Sequence, residues 1–255
     1  MSVPPAADDG AAAARTAGVI VIGNEILSGK VVDANSPFLA RELRTLGVSL
    51  RRIEVVPDEV EIIAEVVARM SRTYDFVFTS GGIGPTHDDK TVEAVAKGLG
   101  LGVERSPLLV ELLAKWYGPT LNEAHLRMAD VPEGSEIVHG GKVQVPAVFA
   151  GNVLIMPGIP DLLQKEFLSL RERFCCTPYH CRRAYVTLQE SDMAALLDEI
   201  ERGHEGVDVG SYPTFDESSP YRVMLTFDGK DEAAVDAALA RLLDEIPSDH
   251  VYEVQ

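Results

Sequence analysis

Apolar residues recur along the chain in two rhythms, short continuous runs and helical repeats, and these alternate. Gly18-Val19-Ile20-Val21-Ile22-Gly23 is uninterrupted and β-branched, the pattern of a central strand buried on both faces. After a polar turn, Asn35 or Ser36 can cap a helix with Pro37 in its first turn, running to about Leu46 and stopped by Gly47. Val48 to Val56 reads as a second strand. Pro57-Asp58-Glu59 opens a helix whose Ile62, Ile63, Val66, Val67 and Met70 recur at helical spacing and are expected in the core. Tyr74 to Phe78 is a third apolar strand, and Val92, Val95, Ala96 and Leu99 mark one face of the next helix. The order β-α-β-α-β-α predicts a parallel sheet with helices on both faces.

Ser106 or Pro107 opens a further helix with Leu108, Leu109, Leu112 and Leu113, ending at Trp116-Tyr117. Leu121 to Ala129 reads as helical, and its Asn122, His125 and Arg127 face either a site or solvent. Glu136–Val138 and Lys142–Phe149 resemble a hairpin. Asn152 to Met156 is another strand, and an amphipathic helix runs from Asp161 to about Arg173. The order then changes. A strand at Ala184–Leu188 precedes a helix at Ser191–Glu201 with Ser191 as N-cap. Strands at Val207–Ser211 and Arg222–Phe227, a helix at Asp231–Ile246 and a strand at Val251–Val254 complete a ferredoxin-like β-α-β-β-α-β series.

Charge supports a division into units at 17–174 and 184–255, joined by a linker at 175–183. The net charge is −17, and residues 185–255 hold 17 acidic against 4 basic residues. Without a basic face, nucleic acid is not expected as a partner. No apolar run approaches the ~20 residues that span a bilayer, so no membrane partner is expected. Residues 1–16 are rich in Ala and Pro and lack the features of a signal peptide. They read as a disordered tail, and the cytoplasm is the expected compartment. Cys175, Cys176 and Cys181, with His180, fit no familiar zinc spacing, and a structural disulfide is not expected in a reducing compartment.

Candidate chemistry collects in the turns after strands. Thr79-Ser80-Gly81-Gly82-Ile83-Gly84-Pro85-Thr86-His87-Asp88-Asp89-Lys90-Thr91 joins a strand to a helix start. Its glycines permit a tight turn and a close approach of backbone to ligand. A helix N-terminus offers N–H groups to an anion. Asp88 and Asp89 beside such an anion point to a divalent cation, which takes carboxylate and phosphate oxygens. The plain alternative is that both cap the helix. The run is neither a Walker A sequence nor a GxGxxG fingerprint. A second turn, Gly23-Asn24-Glu25-Ile26-Leu27-Ser28-Gly29-Lys30, and a third, Pro157-Gly158-Ile159-Pro160, also follow strands, where open α/β sheets bind ligands.

These three turns, with Asp33-Ala34-Asn35, resemble the MoaB/Mog-type molybdopterin-binding fold. Within it they resemble the branch holding the N-terminal domain of CinA proteins and the molybdopterin-binding-like domain of eukaryotic FAD synthases. Gly210-Ser211-Tyr212-Pro213 and its surroundings are similar to the small KH-type middle domain of CinA proteins. The resemblance implies a three-layer α/β/α MoaB/Mog-like domain with a mostly parallel sheet. To this it adds a small α+β ferredoxin-like (KH-type) C-terminal domain and a homo-oligomer, dimer or trimer.

It also implies a metal-dependent nucleotide pyrophosphatase of the CinA type, cleaving ADP-ribose, FAD or a similar dinucleotide. The alternative it implies is a molybdopterin- or nucleotide-binding protein of molybdenum cofactor metabolism, without hydrolysis. For the first chemistry the expected catalytic residues are Asp88, Asp89, Glu25 and Asp33. Asp88 and Glu25 would hold Mg²⁺, Mn²⁺ or Co²⁺. The expected ligand-binding residues are Gly23, Asn24, Ser28, Asn35, Ser80, Gly81, Gly82, Gly84, Pro85, Thr86, Thr91, Pro157 and Gly158, around a small-molecule nucleotide or pterin. Two departures stand out. Ala124-His125-Leu126-Arg127-Met128 replaces an Asn-Asn-x-Lys-Gln run of many CinA proteins, and Asn24 stands where Asp or Thr is frequent. No nicotinamide-nucleotide amidase or FAD-synthesising segment is recognisable, and those activities are not expected.

Overall fold

The computed structural model describes residues 15–140 and 143–255, with backbone only for 143–145. The tail read at 1–16 falls outside these residues as far as Ala14, and Thr16 already belongs to a strand. The described residues form two compact units, which divide after Cys176.

The first unit is built on a six-stranded sheet. β1 (Thr16–Ile22) lies between β2 (Ser49–Val56) and β3 (Phe76–Ser80), with β8 (Val153–Met156) beyond β3. These four are parallel. β7 (Val143–Ala150) and β6 (Glu136–Gly140) continue the sheet as an antiparallel hairpin. β1 explains the layering. Its Ala17, Val19 and Val21 pack with Phe76 and Phe78 against α2 (Asn35–Thr45) and α7 (Pro160–Leu170). Its Ile20 and Ile22 pack with Val77 against α3 (Val60–Thr73) and α4 (Thr91–Leu99). A strand apolar at every position therefore serves two cores at once.

A smaller cluster stands apart. α5 (Pro107–Tyr117) is capped by Ser106, whose Oγ accepts from the Leu109 N–H, and it buries Leu109, Leu112 and Leu113 against Ala129 and Val131. Val131 lies in β5 (Asp130–Pro132), which pairs with β4 (Val103–Arg105). The helix read at 121–129 is the short α6 (Glu123–Arg127). Three further details depart from the pattern. Ile62 lies on the exposed side of α3, leaving Ile63, Val66, Val67 and Met70 inside. α7 stops at Leu170, and a 3-10 turn at Arg171–Phe174 carries Phe174 into a cluster with Phe76, Phe78, Phe149 and Phe167. On its buried face α7 also holds Glu166, 2% exposed, whose Oε1 has no partner among the described residues. Burial pushes this carboxyl well above the usual glutamate range.

The second unit has β9 (His180–Val186), α8 (Glu190–Gly203), β10 (Val207–Pro213), β11 (Val223–Gly229), α9 (Glu232–Glu245) and β12 (Val251–Val254). The antiparallel sheet order β10-β11-β9-β12 is ferredoxin-like, as the element series predicts. Both helices pack into one core with the sheet residues Ala184, Val186, Leu225 and Phe227. Asp231 caps α9, accepting from the Ala233 and Ala234 N–H groups. Ser191 lies inside α8, and Gln189 occupies the cap position without a side-chain bond. β9 starts inside the stretch read as a linker, because Arg182 is held by Glu232 and Asp236 of α9. At the other end of that stretch the Cys176 N–H donates to the Leu46 carbonyl in the first unit. Cys175, Cys176 and Cys181 form no disulfide.

Candidate functional site

Parallel pairing brings three strand ends level. Val21 pairs with Ser80, and Ser80 with Met156, so β1, β3 and β8 release their chains side by side. The three turns read from the sequence are therefore neighbours. Their backbones touch. Gly81 has φ 105°, and a Cβ there would collide with the Ile22 carbonyl oxygen. A Cβ on Gly158 would come within 3.2 Å of Gly81 Cα. Only glycine permits this approach.

Asn35 ties the turns together from α2. Its Nδ2 donates to Ser80 Oγ at 2.8 Å and to the Gly158 carbonyl at 2.8 Å. Its Oδ1 is buried and has no partner among the described residues. Thr91 Oγ1 donates to the Gly81 carbonyl at 2.7 Å, and the Thr91 N–H to the Gly82 carbonyl. Ser80, Gly81, Gly82, Asn35, Thr91 and Gly158 thus form one connected cluster. Asp33 supports it from outside. Its Oδ1 accepts from the Asn35 and Ser36 N–H groups, and its Oδ2 accepts from the Ser36 hydroxyl. Asp33 is the side chain that caps α2, the role the sequence pattern assigns to Asn35 or Ser36.

The tip of the glycine-rich loop is organised by Asp89. The Gly84 N–H donates to its Oδ1 at 2.6 Å and the Thr86 N–H to its Oδ2 at 2.8 Å. Two donors available to a phosphate are thereby taken by the chain's own carboxylate. The Thr86 hydroxyl lies 2.5 Å from Asp88 Oδ1 and 2.7 Å from Asp89 Oδ2. The hydrogen bond from Thr86 holds the exposed Asp88 carboxyl below its ordinary range. Pro85 offers its carbonyl to Arg127 Nη2 at 2.6 Å, which fastens the loop to α6.

At the end of β1, α1 (Asn24–Leu27) begins at once, and the Asn24 N–H is taken by Asp58 at 2.8 Å. The Glu25 carboxylate folds back over Gly23, where a Cβ would clash with it. Ser28 Oγ donates to the Glu25 carbonyl at 3.3 Å, within its own turn. Pro157 lies in the connection from β8 to α7.

Among the described residues no group of three or more His, Cys, Asp or Glu side chains is placed to hold a metal. A cation shared with a diphosphate needs fewer, since Mg²⁺ typically uses one or two carboxylates plus phosphate oxygens. Asp88, ionised and exposed, and Glu25, also exposed, fit that donor chemistry.

The sequence does not reveal a cavity of about 470 Å³ behind the loop. Gly82, Ile83 and Gly84 form one wall. Leu109, Leu112, Leu113 and Trp116 of α5, with Val131, Val148 and Ile155, belong to its apolar lining. Thr86, Lys90, Glu93, Arg127 and Asp130 supply polar groups. The only advance signal is an apolar surplus on α5, whose Leu108 and Trp116 remain exposed. His125 stacks on Tyr117, ring centroids 3.9 Å apart.

Comparison with known proteins agrees with this architecture. The family described as "Probable molybdopterin binding domain" matches residues 18–172, and the family "FAD synthase, middle domain" matches residues 178–255. A protein of Archaeoglobus fulgidus is 36% identical over 221 residues, covering 87% of this chain and 93% of that protein. A probable FAD synthase of Caenorhabditis elegans is 30% identical over 269 residues, and the match spans 93% of this chain but 51% of that protein. A crystal structure of the protein CinA, of unknown function, from Thermoplasma acidophilum matches with TM-score 0.59 at 31% identity. That match covers 64% of this chain and all of the other. No helix among the described residues is long and apolar enough to cross a membrane. The chain belongs to the molybdopterin-binding-domain family, in the form that joins this domain to a FAD synthase middle domain and is related to CinA.

Proposed function

We propose that the chain is a metal-dependent nucleotide pyrophosphatase, hydrolysing ADP-ribose, FAD or a similar dinucleotide at its diphosphate. One observation carries this reading: the meeting of two strand-end turns on Asn35, with a buried oxygen, Oδ1, left to accept from a ligand hydroxyl or a water. A buried acceptor without a donor costs about 1–3 kcal/mol, so a polar ligand that donates to it is favoured. The touching glycines bring backbone, with no side chain between, to a diphosphate. Asp88 and Glu25 would hold the cation, which supplies charge neutralisation and a more acidic bound water. Arg127 of α6, bonded to the loop at the Pro85 carbonyl, adds a positive charge. In the net reaction one water oxygen bonds to phosphorus, the bridging P–O bond breaks, and the proton leaves with the products.

The test is AMP release from ADP-ribose and from FAD, with Mg²⁺, Mn²⁺ or Co²⁺ and with chelator. Metal-dependent release is expected, falling about 100-fold or more in Asp88→Ala while the circular dichroism spectrum is unchanged. A second reading is a pterin- or nucleotide-binding module without turnover. It is favoured by the Asp89 carboxylate, which already fills two loop donors. No AMP from either substrate, together with tight pterin or nucleotide binding, would select it.

A further inference from the structure

We propose that the open edge of β10, with the groove between it and α8, is a docking site for an extended basic segment of a partner protein, which joins the four-stranded sheet as a further strand. The site lies wholly in the second unit and does not depend on the reaction proposed for the first.

The backbone supplies the first argument. β11 pairs along one side of β10, and among the described residues no strand pairs along the other. The Thr214 N–H donates to the Arg222 carbonyl at 2.8 Å, continuing this antiparallel ladder, in which every second residue bonds toward its partner strand. Asp208, Gly210 and Tyr212 share that direction with Thr214, so Val209 and Ser211 turn their N–H and C=O groups outward, as on any edge. The same two residues line an open groove of about 480 Å³, across from Glu190, Ala194, Leu197, Asp198 and Glu201 of α8. A segment laid along the edge bonds to Val209 and Ser211. Directly opposed residues share a face of the sheet, so its side chains opposite these two point toward α8.

Charge selects the segment. The ionisable lining, Glu190, Asp198 and Glu201, is acidic and exposed. Arg202, the basic residue of α8, bonds to the Asp198 carbonyl. Between the carboxylates and the strand, Ala194, Leu197 and Val209 offer an apolar floor to the stems of Lys or Arg, whose heads reach the acids. Ser211 Oγ is shut off from water and has no hydrogen-bond partner among the described residues, which leaves it for a polar group of the incoming segment. A second copy of β10 is disfavoured, because it would set the same three carboxylates against themselves. Residues 1–14 hold Asp8 and Asp9 and no Lys or Arg, so they do not match the groove either. The occupant is therefore a basic strand of another protein.

The test titrates the full chain, at physiological ionic strength, into a fluorescent octapeptide of alternating Lys and Thr and follows its anisotropy. Saturable one-to-one binding is expected, with none to the matching Glu–Thr octapeptide. Methylating the lysine backbone nitrogens, which keeps every charge, should abolish binding, because those N–H groups are the ones that bond to β10. The double change Asp198→Lys with Glu201→Lys should weaken binding about tenfold or more, and the same reversal at Asp244 and Glu245 of α9 should change it about twofold or less. Ser211→Pro removes an outward N–H while sparing the β11 ladder and should also abolish binding. If that variant does not fold, the methylated peptide decides the same point. No saturable binding of the Lys–Thr peptide overturns the proposal. So does equal weakening by the two charge reversals, or undiminished binding of the methylated peptide, either of which would mean attraction to an acidic surface without strand addition. A dimer of the chain that sediments as such without peptide and is lost in folded Ser211→Pro would assign the edge to a second copy and overturn it too.

Discussion

The crevice at the strand ends and the cavity behind the loop lie in one unit and differ in how they are held. In the crevice, glycine backbones meet at van der Waals distance, and Asn35 alone bridges two turns. Nothing there can shift by an ångström without breaking a hydrogen bond or forcing a clash. The cavity is bounded largely by apolar side chains of α5, β5 and the main sheet. Dispersion and burial are non-directional, so this wall can change without losing the fold. The crevice is therefore suited to fixing charged atoms and the cavity to choosing what is attached to them.

Substitutions can break this contrast in graded steps. Gly81→Ala places a Cβ against the Ile22 carbonyl at φ 105° and should cost about 3 kcal/mol in a urea denaturation series. A cost under 1 kcal/mol would mean that the turns are not rigidly apposed. Asn35→Ala leaves Ser80 Oγ and the Gly158 carbonyl without their donor and should cost about 2 kcal/mol, together with most ligand affinity by calorimetry.

Glu166 tests the ordinary core between these extremes. Because burial raises its carboxyl, the folded state takes up a proton. Its contribution is fully present below the ordinary glutamate range and is lost as pH rises through the raised value. Glu166→Gln should therefore raise Tm by about 2 °C or more at pH 8, with the gap closing near pH 4. An equal gap at both pH values would contradict a buried, titrating carboxyl. Trp116→Ala should be the mildest, changing stability by about 0.5 kcal/mol or less, since the indole is more than half exposed.

The sequence disclosed these regions unequally, for physical reasons. β1, β3 and β8 were legible because burial on both faces demands continuous apolar runs. The glycine-rich turns were legible because close backbone approach excludes every other residue. The ferredoxin-like series of the second unit followed from period changes alone. Caps were less clear, since Asp33, Asn35 and Ser36 are all competent and the backbone path decides among them. Asp89 could be read as a ligand or as a cap, and it proves to be a clasp for its own loop. The cavity was not legible. Helical spacing tells which residues of α5 face inward, but not that they face a void shared with Val148 and Ile155 from the sheet.

The Asn35 bridge also bears on the order of events in folding. Its bond to Gly158 joins residues 123 apart in the chain, and its bond to Ser80 joins residues 45 apart. Neither can form until β1, β3 and β8 have found their parallel register, and long loops of this kind close slowly. The crevice is thus a late product of folding. During refolding, helix content should return before ligand binding, and a nascent chain that has not yet added Gly158 has no crevice at all.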